Sequence, residues 1–336
     1  MRRRDPMSGI VAASGDAIAE AVAHLRDGRL VAFPTETVYG LGADASNAAA
    51  VRRIFAAKGR PADHPVIVHL ARAEAMAAWA RAIPASAHAL AAAFWPGPLT
   101  LIVPRAPHVH DVVTGAQDMV GLRVPSHPVA RALLDAFGGG IAAPSANRFG
   151  HVSPTSAAHV AADLGDKPAL ILDGGICDVG IESTIVAFRG DVALLLRPGG
   201  IGVAELTRVL GREPVAAGRD APRASGTLAA HYAPKTPASL LPADVLRAEL
   251  AQFIARDEVV AVLARTLDPP DDFDGAWITA AREPAGYAHD LYAHLRALDA
   301  ADADTLLIED VPHDGAWLAI RDRLTRATHG EDDDRN

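Results

Sequence analysis

The chain has 336 residues, half of them hydrophobic and 22% charged, and its 32 Lys and Arg against 41 Asp and Glu give a formal net charge of −9. That length provides for two compact domains with real cores, and the composition excludes disorder, collagen and coiled coil. One cysteine, Cys177, cannot make an internal disulfide framework or a Cys-rich zinc site, so a reducing, cytoplasmic setting is expected.

Arg2, Arg3 and Arg4 imitate the start of a signal peptide, but Asp5, Pro6, Asp16 and Glu20 interrupt any apolar stretch behind them, which speaks against secretion. The following residues alternate short apolar runs with amphipathic patterns, the mark of a mixed α/β domain over 12–211. Its expected strands are Leu30–Phe33, Val66–Leu70, Leu99–Val103, Val120–Val124, Ile141–Ala143, Ala169–Leu172, Thr184–Phe188 and Ala193–Leu196. Its expected helices are Asp16–Asp27, closed by Gly28 as C-cap, Asn47–Ala57 after a Ser46 cap, Ser86–Phe94, Pro128–Phe137, Ser156–Leu164, and Val203–Leu210 closed by Gly211. The uncharged run from Ala82 to Pro104 is long enough to span a bilayer, but Pro84, Pro96, Gly97 and Pro98 divide it into a helix, a turn and a buried strand, so no membrane contact is expected.

Residues 212–237 lack periodicity and read as a linker or lid loop. From 238 to 330 a second, smaller α/β domain follows, Rossmann-like in outline: Leu240–Leu241, Asp244–Arg256, Val259–Ala264, Trp277–Thr279, Tyr287–Leu298, Leu306–Ile308 and Trp317–Arg326 alternate as strand, helix, strand, strand, helix, strand, helix. It has no G-x-G-x-x-G turn, so no nucleotide site is assigned to it. Glu331–Asn336 reads as an acidic frayed tail. The acidity is concentrated here: residues 1–210 hold 19 basic against 18 acidic residues, and 211–336 hold 13 against 23.

The loops of the first domain carry the chemistry. Pro34 to Ala45 places hydroxyls, a carboxylate and glycines at the carboxyl end of a strand, where open α/β sheets bind ligands; a plain Pro/Gly turn is the alternative. Lys58 and Arg60 then flank Gly59 before Pro61, so two cations in a non-helical segment can converge on one phosphate or carboxylate. Lysine occurs only at Lys58, Lys167 and Lys235, which marks Lys58 as a deliberate choice over a solvated helix end. His64 and His69 flank the next strand, where a histidine is more often a core residue than a ligand, and neither they nor the His108/His110 pair form a zinc motif.

Strand alternation sets Arg123 on the opposite face from Leu122 and Val124, where it needs a bound anion or an internal carboxylate. Ser145, Asn147 and Ser153 lie in a polar loop suited to orienting a nucleotide; Ser145 is not in a G-x-S-x-G elbow. Arg197 closes a strand before Pro-Gly-Gly, after the run Ile181–Val186. No strong nucleophile emerges, so the loops describe a device that positions two substrates to react with each other.

The ordered set PTETVYGLG (34–42), KGRP with PVIVH, FWPGPLTLIV (94–103), GLRVP, APSAN, GIESTIV and LLRPG resembles the YrdC-like threonylcarbamoyl-AMP synthases over about residues 15–210. SGTLAAHYAP (225–234) and the second domain resemble the long, two-domain form. The resemblance implies a twisted open sheet around a large concave cavity. It also implies synthesis of L-threonylcarbamoyl-AMP from L-threonine, bicarbonate and ATP with magnesium, releasing pyrophosphate, the product passing to a transferase complex that modifies tRNA beside the anticodon.

Carried over by motif, Thr35, His69, Arg123, Ala143 and Ser183 would hold threonine. Lys58, Arg60, His64, Met119, Ser145, Asn147, Ser153, Arg197 and Tyr232 would contact ATP, with Lys58 and Arg60 neutralising charge in the reaction and Tyr232 making the linker a lid. Protein ligands for magnesium are not identified. Two positions depart from the pattern: His64 stands where Asn is usual, and Ser225-Gly226-Thr227 stands where Pro-Gly-Met and basic residues are common. The rivals are an RNA-binding module, with which a weak tRNA contact would agree, and a carbamoyl-transferring relative with another acceptor. The near-neutral first domain argues against broad phosphate tracking.

Overall fold

The structure is a computed structural model that describes residues 9–218, 220–256 and 258–329. The Arg2–Arg4 run and the expected tail Glu331–Asn336 lie outside the described residues. The chain divides into two compact units, Met1–Phe149 with Ser153–Thr227, and Gly150–Val152 with Leu228–Asn336.

Among the described residues the first unit holds a mixed sheet of eleven strands: β1 (Ile10–Ala12), β2 (Val31–Phe33), β3 (Gly40–Asp44), β4 (Ile67–His69), β5 (Leu99–Pro104), β6 (Met119–Arg123), β7 (Ile141–Ala142), β8 (Leu170–Asp173), β9 (Thr184–Arg189), β10 (Val192–Arg197) and β11 (Val215–Ala216). Their order is β1-β8-β2-β3-β7-β4-β6-β5-β9-β10-β11. Alternation sends Val31 and Phe33 to one core, with the helices Gly15–Arg26 and Pro128–Phe137, and sends Ala32 to the other, with Ala48–Lys58, Ala85–Phe94 and Ala157–Leu164. Both faces of the sheet are therefore covered, and its strands are largely apolar, with His69, Thr100, Arg123 and Arg197 among the buried exceptions.

Three expectations change. The segment Gly40–Asp44, read as part of a polar loop, is strand β3, antiparallel to β2. Glycine usually marks turns, but here it is required by packing: a β-carbon on Gly42 would lie 2.8 Å from the Phe33 ring and 2.9 Å from an Ile141 methyl. The second helix is capped by Asn47, whose Oδ1 accepts from the Ala49 and Ala50 amides, while Ser46 donates instead to Asp44. The linker is also more ordered than its composition suggests. Val215–Ala216 extends the sheet beside β10, and the first unit ends only at Thr227.

The Ala82–Pro104 run resolves into the helix Ala85–Phe94, a turn and β5; among the described residues no helix is long and apolar enough to cross a membrane. In the second unit, β12 (Ala238–Leu241), β13 (Val260–Ala264), β14 (Ala276–Thr279) and β15 (Thr305–Glu309) form a parallel sheet in the order β12-β15-β13-β14. Val260, Val262 and Ala264 pack with Leu246 and Leu250 of the helix Ala243–Ala255, and the helix Pro284–Asp299 packs on β13 and β14. A strand covered on both faces explains the unbroken apolar run VAVLA.

One close approach ties fold to site. A β-carbon on Gly199, in the Pro-Gly-Gly turn after β10, would lie 2.4 Å from backbone atoms of Glu182, Ser183 and Thr184. Gly199→Ala is expected to destabilise by about 1–3 kcal/mol through overpacking and to displace Ser183. Urea unfolding measures the first effect, and an unchanged midpoint refutes the claimed contact.

Candidate functional site

The polar corner begins where β2 ends. Pro34 stops the strand, and the Thr35 hydroxyl organises the turn: it bonds the Val38 carbonyl at 2.6 Å, meets the Thr37 hydroxyl at 2.8 Å, and accepts from the Thr37 and Val38 amides. This fixes Glu36 between two threonines. Its Oε2 accepts from the Ser126 amide at 3.1 Å, and its Oε1 lies 2.7 Å from Arg123 Nη2. Both side chains are about 5% exposed, so this is a buried ion pair. The internal carboxylate that Arg123 requires is thus Glu36. Arg123 Nε also donates to the Gly97 carbonyl at 3.4 Å.

His69 pairs with Arg123 across the parallel strands β4 and β6. Burial, and then the Arg123 charge, push its imidazole down to about 3, so it is neutral at physiological pH. Ala143 follows β7, and its amide donates to the Ile67 carbonyl at the start of β4. Cys177 is buried, and burial followed by the Glu36 charge pushes its thiol up to about 12, which disqualifies it as a nucleophile.

A second cluster surrounds Lys58, the last residue of the helix Ala48–Lys58, where Gly59 turns the chain in the left-handed conformation. Lys58 Nζ donates to the Ser145 carbonyl at 2.6 Å, the Asn147 carbonyl at 2.5 Å and Asn147 Oδ1 at 3.1 Å. Ser145 Oγ donates to the same Oδ1 at 2.6 Å. Burial and the nearby Arg60 charge hold the Lys58 ammonium well below the usual lysine range, while the three oxygens solvate it. Arg60 donates to the Pro65 carbonyl and lies over the Phe149 ring, which His64 meets edge-on. The half-buried His64 is also pushed down, by burial and then by Arg60.

A third cluster joins β9 to β10. Arg197 donates through Nε and Nη2 to the Ser183 carbonyl, while Ser183 Oγ meets Thr100 Oγ1 at 2.8 Å. Ser153 Oγ donates to Glu182 at 2.7 Å. Met119, on β6, lines a pocket with Ile67, Thr100, Gly121 and Ile185.

A strap of former linker crosses that pocket. The Arg223 amide donates to Gln117 Oε1, Ala224 is buried against Ile102, Ile185 and Leu194, and Ser225 Oγ donates to the Pro65 carbonyl at 2.8 Å. Arg197 Nη1 donates to the Ser225 carbonyl at 2.8 Å, and Arg60 Nη2 reaches Ser225 Oγ at 3.5 Å. The structure thereby brings Lys58, Arg60, Ser145 and Asn147 together, sets Arg123 beside His69, and connects Arg60 to Arg197 through Ser225. Tyr232 lies in the second unit, buried against His231 and Tyr292 with Arg323 over its ring. Its φ of +63° is a conformation that costs a non-glycine residue about 1–3 kcal/mol.

Sequence reasoning left Glu36, Thr100, Glu182 and Ser225 without roles. Glu36 had the clearest signal: the one charge in the segment Pro34–Tyr39, directly after a strand that runs through the core.

Two family models cover the chain: one described as telomere recombination, of the Sua5, YciO and YrdC type, over residues 23–199, and one for the threonylcarbamoyl-AMP synthase C-terminal domain over residues 201–329. A threonylcarbamoyl-AMP synthase of Pyrococcus abyssi is 40% identical over 319 residues, covering 92% of this chain and 93% of the relative. Another from Bacillus subtilis is 39% identical over 323 residues, covering 93% of each. The crystal structure of P. abyssi Sua5 complexed with L-threonine superposes with a TM-score of 0.86 at 39% identity, covering 93% of this chain and 94% of that one. Escherichia coli YciO, at 22% identity and a TM-score of 0.51, covers 59% of this chain and 97% of its own, and shares the fold.

The buried neutral His69 generates a stability prediction. Its folded-state value lies below the unfolded value near 6.5, so as pH falls the unfolded chain takes up this proton first and the folded state loses stability between about 6.5 and 3. His69→Gln is expected to flatten the pH dependence of unfolding free energy in that window, by up to about 1.4 kcal/mol per pH unit. Identical slopes in urea titrations of the two proteins would refute the assignment.

Proposed function

This chain belongs to the threonylcarbamoyl-AMP synthase family, and on that footing we propose that it joins L-threonine, bicarbonate and ATP into L-threonylcarbamoyl-AMP, releasing pyrophosphate. The product supplies the threonylcarbamoyl group for an adenosine beside the tRNA anticodon, through a separate transferase complex. The observation that carries this reading is a buried polar corner, Thr35, Glu36, His69 and Arg123, in the same unit as the buried cations Lys58, Arg60 and Arg197, in a chain that superposes on a relative holding L-threonine.

The chemistry needs few reactive side chains. Threonine's amine combines with bicarbonate, losing water, to give a carbamate. A carbamate oxygen then attacks the α-phosphorus, and the bond from that phosphorus to the bridging oxygen of the β-phosphate breaks. The carbamate is unstable in water, so the site's task is to align it, exclude solvent and neutralise the phosphates.

Arg123 is suited to the threonine carboxylate. His69 can serve only as a neutral hydrogen-bonding group, because it stays unprotonated. Lys58 and Arg60 are suited to the phosphates, and the Ser145 and Asn147 loop to the nucleotide. The cations now rest largely on carbonyl and hydroxyl oxygens, partners that a phosphate replaces with stronger, charge-assisted bonds. Magnesium would enter as Mg·ATP: among the described residues no three His, Cys, Asp or Glu side chains gather to form a cage, and phosphate oxygens are the hard ligands this ion prefers.

Purified protein given Mg·ATP, bicarbonate and L-threonine is expected to release pyrophosphate only when all three are present. Release independent of threonine and bicarbonate would overturn the reading, and equal rates with serine would remove the threonine specificity. Lys58→Ala and Arg60→Ala should each lower turnover at least about tenfold, or about 1.4 kcal/mol of barrier. Unchanged rates would place the phosphates elsewhere.

A further inference from the structure

We propose that Glu36 is the binding residue for the α-ammonium of the amino-acid substrate, so that Glu36 and Arg123 together select a zwitterion. The proposal rests on the amino-acid reading of this corner given above and adds a residue to it.

Glu36 is held on both sides, through its backbone and through its carboxylate. The Thr35 hydroxyl bonds Thr37 and Val38 of its own turn, the Val179 amide donates to the Glu36 carbonyl at 2.8 Å, and the Ser126 amide donates to Oε2. That leaves Oε1 facing Arg123 Nη2 at 2.7 Å. The two atoms form a buried ion pair, and neither has a further hydrogen-bond partner. A ligand that engaged only one of them would leave the other charge buried without its partner, whereas a ligand carrying both signs can engage both.

Charge decides which ligand does so. A simple carboxylate on Arg123 would bring a second anion against Glu36 in a buried site, with repulsion and desolvation both opposing it. An α-amino acid carries its carboxylate and ammonium on one carbon, side by side as Arg123 Nη2 and Glu36 Oε1 are. It can satisfy both atoms and leave the site's net charge unchanged. The rival role for Glu36 is to hold Arg123 in place with no contact to substrate, and the two roles differ in what they demand of the ligand.

The test is calorimetric titration of the full chain with L-threonine and with 3-hydroxybutyrate, which lacks only the amine. In the unaltered protein L-threonine should bind at least tenfold more tightly. In Glu36→Gln, which keeps shape and a hydrogen-bonding oxygen, the threonine affinity should fall at least tenfold while that of 3-hydroxybutyrate holds or rises, so the ratio collapses; Glu36→Asp, which keeps the charge, should retain part of it. Equal binding of the two ligands by the unaltered protein overturns the proposal without any variant. A parallel loss for both ligands in Glu36→Gln assigns Glu36 to holding Arg123 alone, and also overturns it. Failure of the unaltered protein to bind threonine at all is a separate outcome: it defeats the functional reading, and this proposal with it.

Discussion

A guanidinium placed inside a β-sheet has to be compensated, and much of the first unit's polar architecture follows from Arg123. Glycine, leucine and valine around it on β6 leave no local partner, so the carboxylate must come from another loop. Glu36 arrives from the turn after β2, held there by Thr35. The same charge acts on the neighbouring strand, where it helps to keep His69 neutral. One buried ion pair therefore draws on a turn held by Thr35, and its cation adds to the burial that keeps a histidine neutral. Such a pair is weak evidence for stability, because desolvation opposes its Coulomb energy. Its value lies in placing two opposite charges where a substrate can meet both.

The other cations follow a different rule. Lys58, Arg60 and Arg197 all donate to backbone carbonyls, and each also reaches a side-chain oxygen. Neutral oxygens solvate a buried cation without cancelling its charge, so its field remains available to an incoming phosphate. The strap at Arg223–Ser225 belongs to the same arrangement, since the Ser225 carbonyl and hydroxyl occupy Arg197 and Arg60. Chain composition agrees with this economy: of three lysines in the whole sequence, one is the buried Lys58.

The regular elements were legible because their signals are local. Alternating apolar runs, proline boundaries and glycine caps put most strands and helices within a few residues of their observed ends. Where reading failed, packing had overruled local preference. The Gly40–Asp44 segment has turn composition, yet it forms a strand because Phe33 and Ile141 fill the space a side chain at Gly42 would need. Within the site, Lys58 and Arg60 could be singled out from spacing and scarcity, and Arg123 from strand alternation. Its partner could not be chosen, since a buried cation announces that a carboxylate is needed without saying which one. Thr100 and Ser183 are 83 residues apart, and only the parallel pairing of β5 with β9 makes their hydroxyls neighbours.

The distribution of charge has the same origin. A surface that tracks a nucleic acid must offer many cations to solvent, and its domain becomes basic as a result. A pocket for one nucleotide and one amino acid needs only a few, each worth more because it is buried. Residues 1–210 carry 19 basic and 18 acidic residues, so near-neutrality is compatible with strong anion recognition when the cations are buried and the carboxylates are placed elsewhere. Glu36 is the instructive exception. It is a buried acid set against a cation, which would be a defect in a site for simple anions and is an advantage in one whose ligand carries both signs.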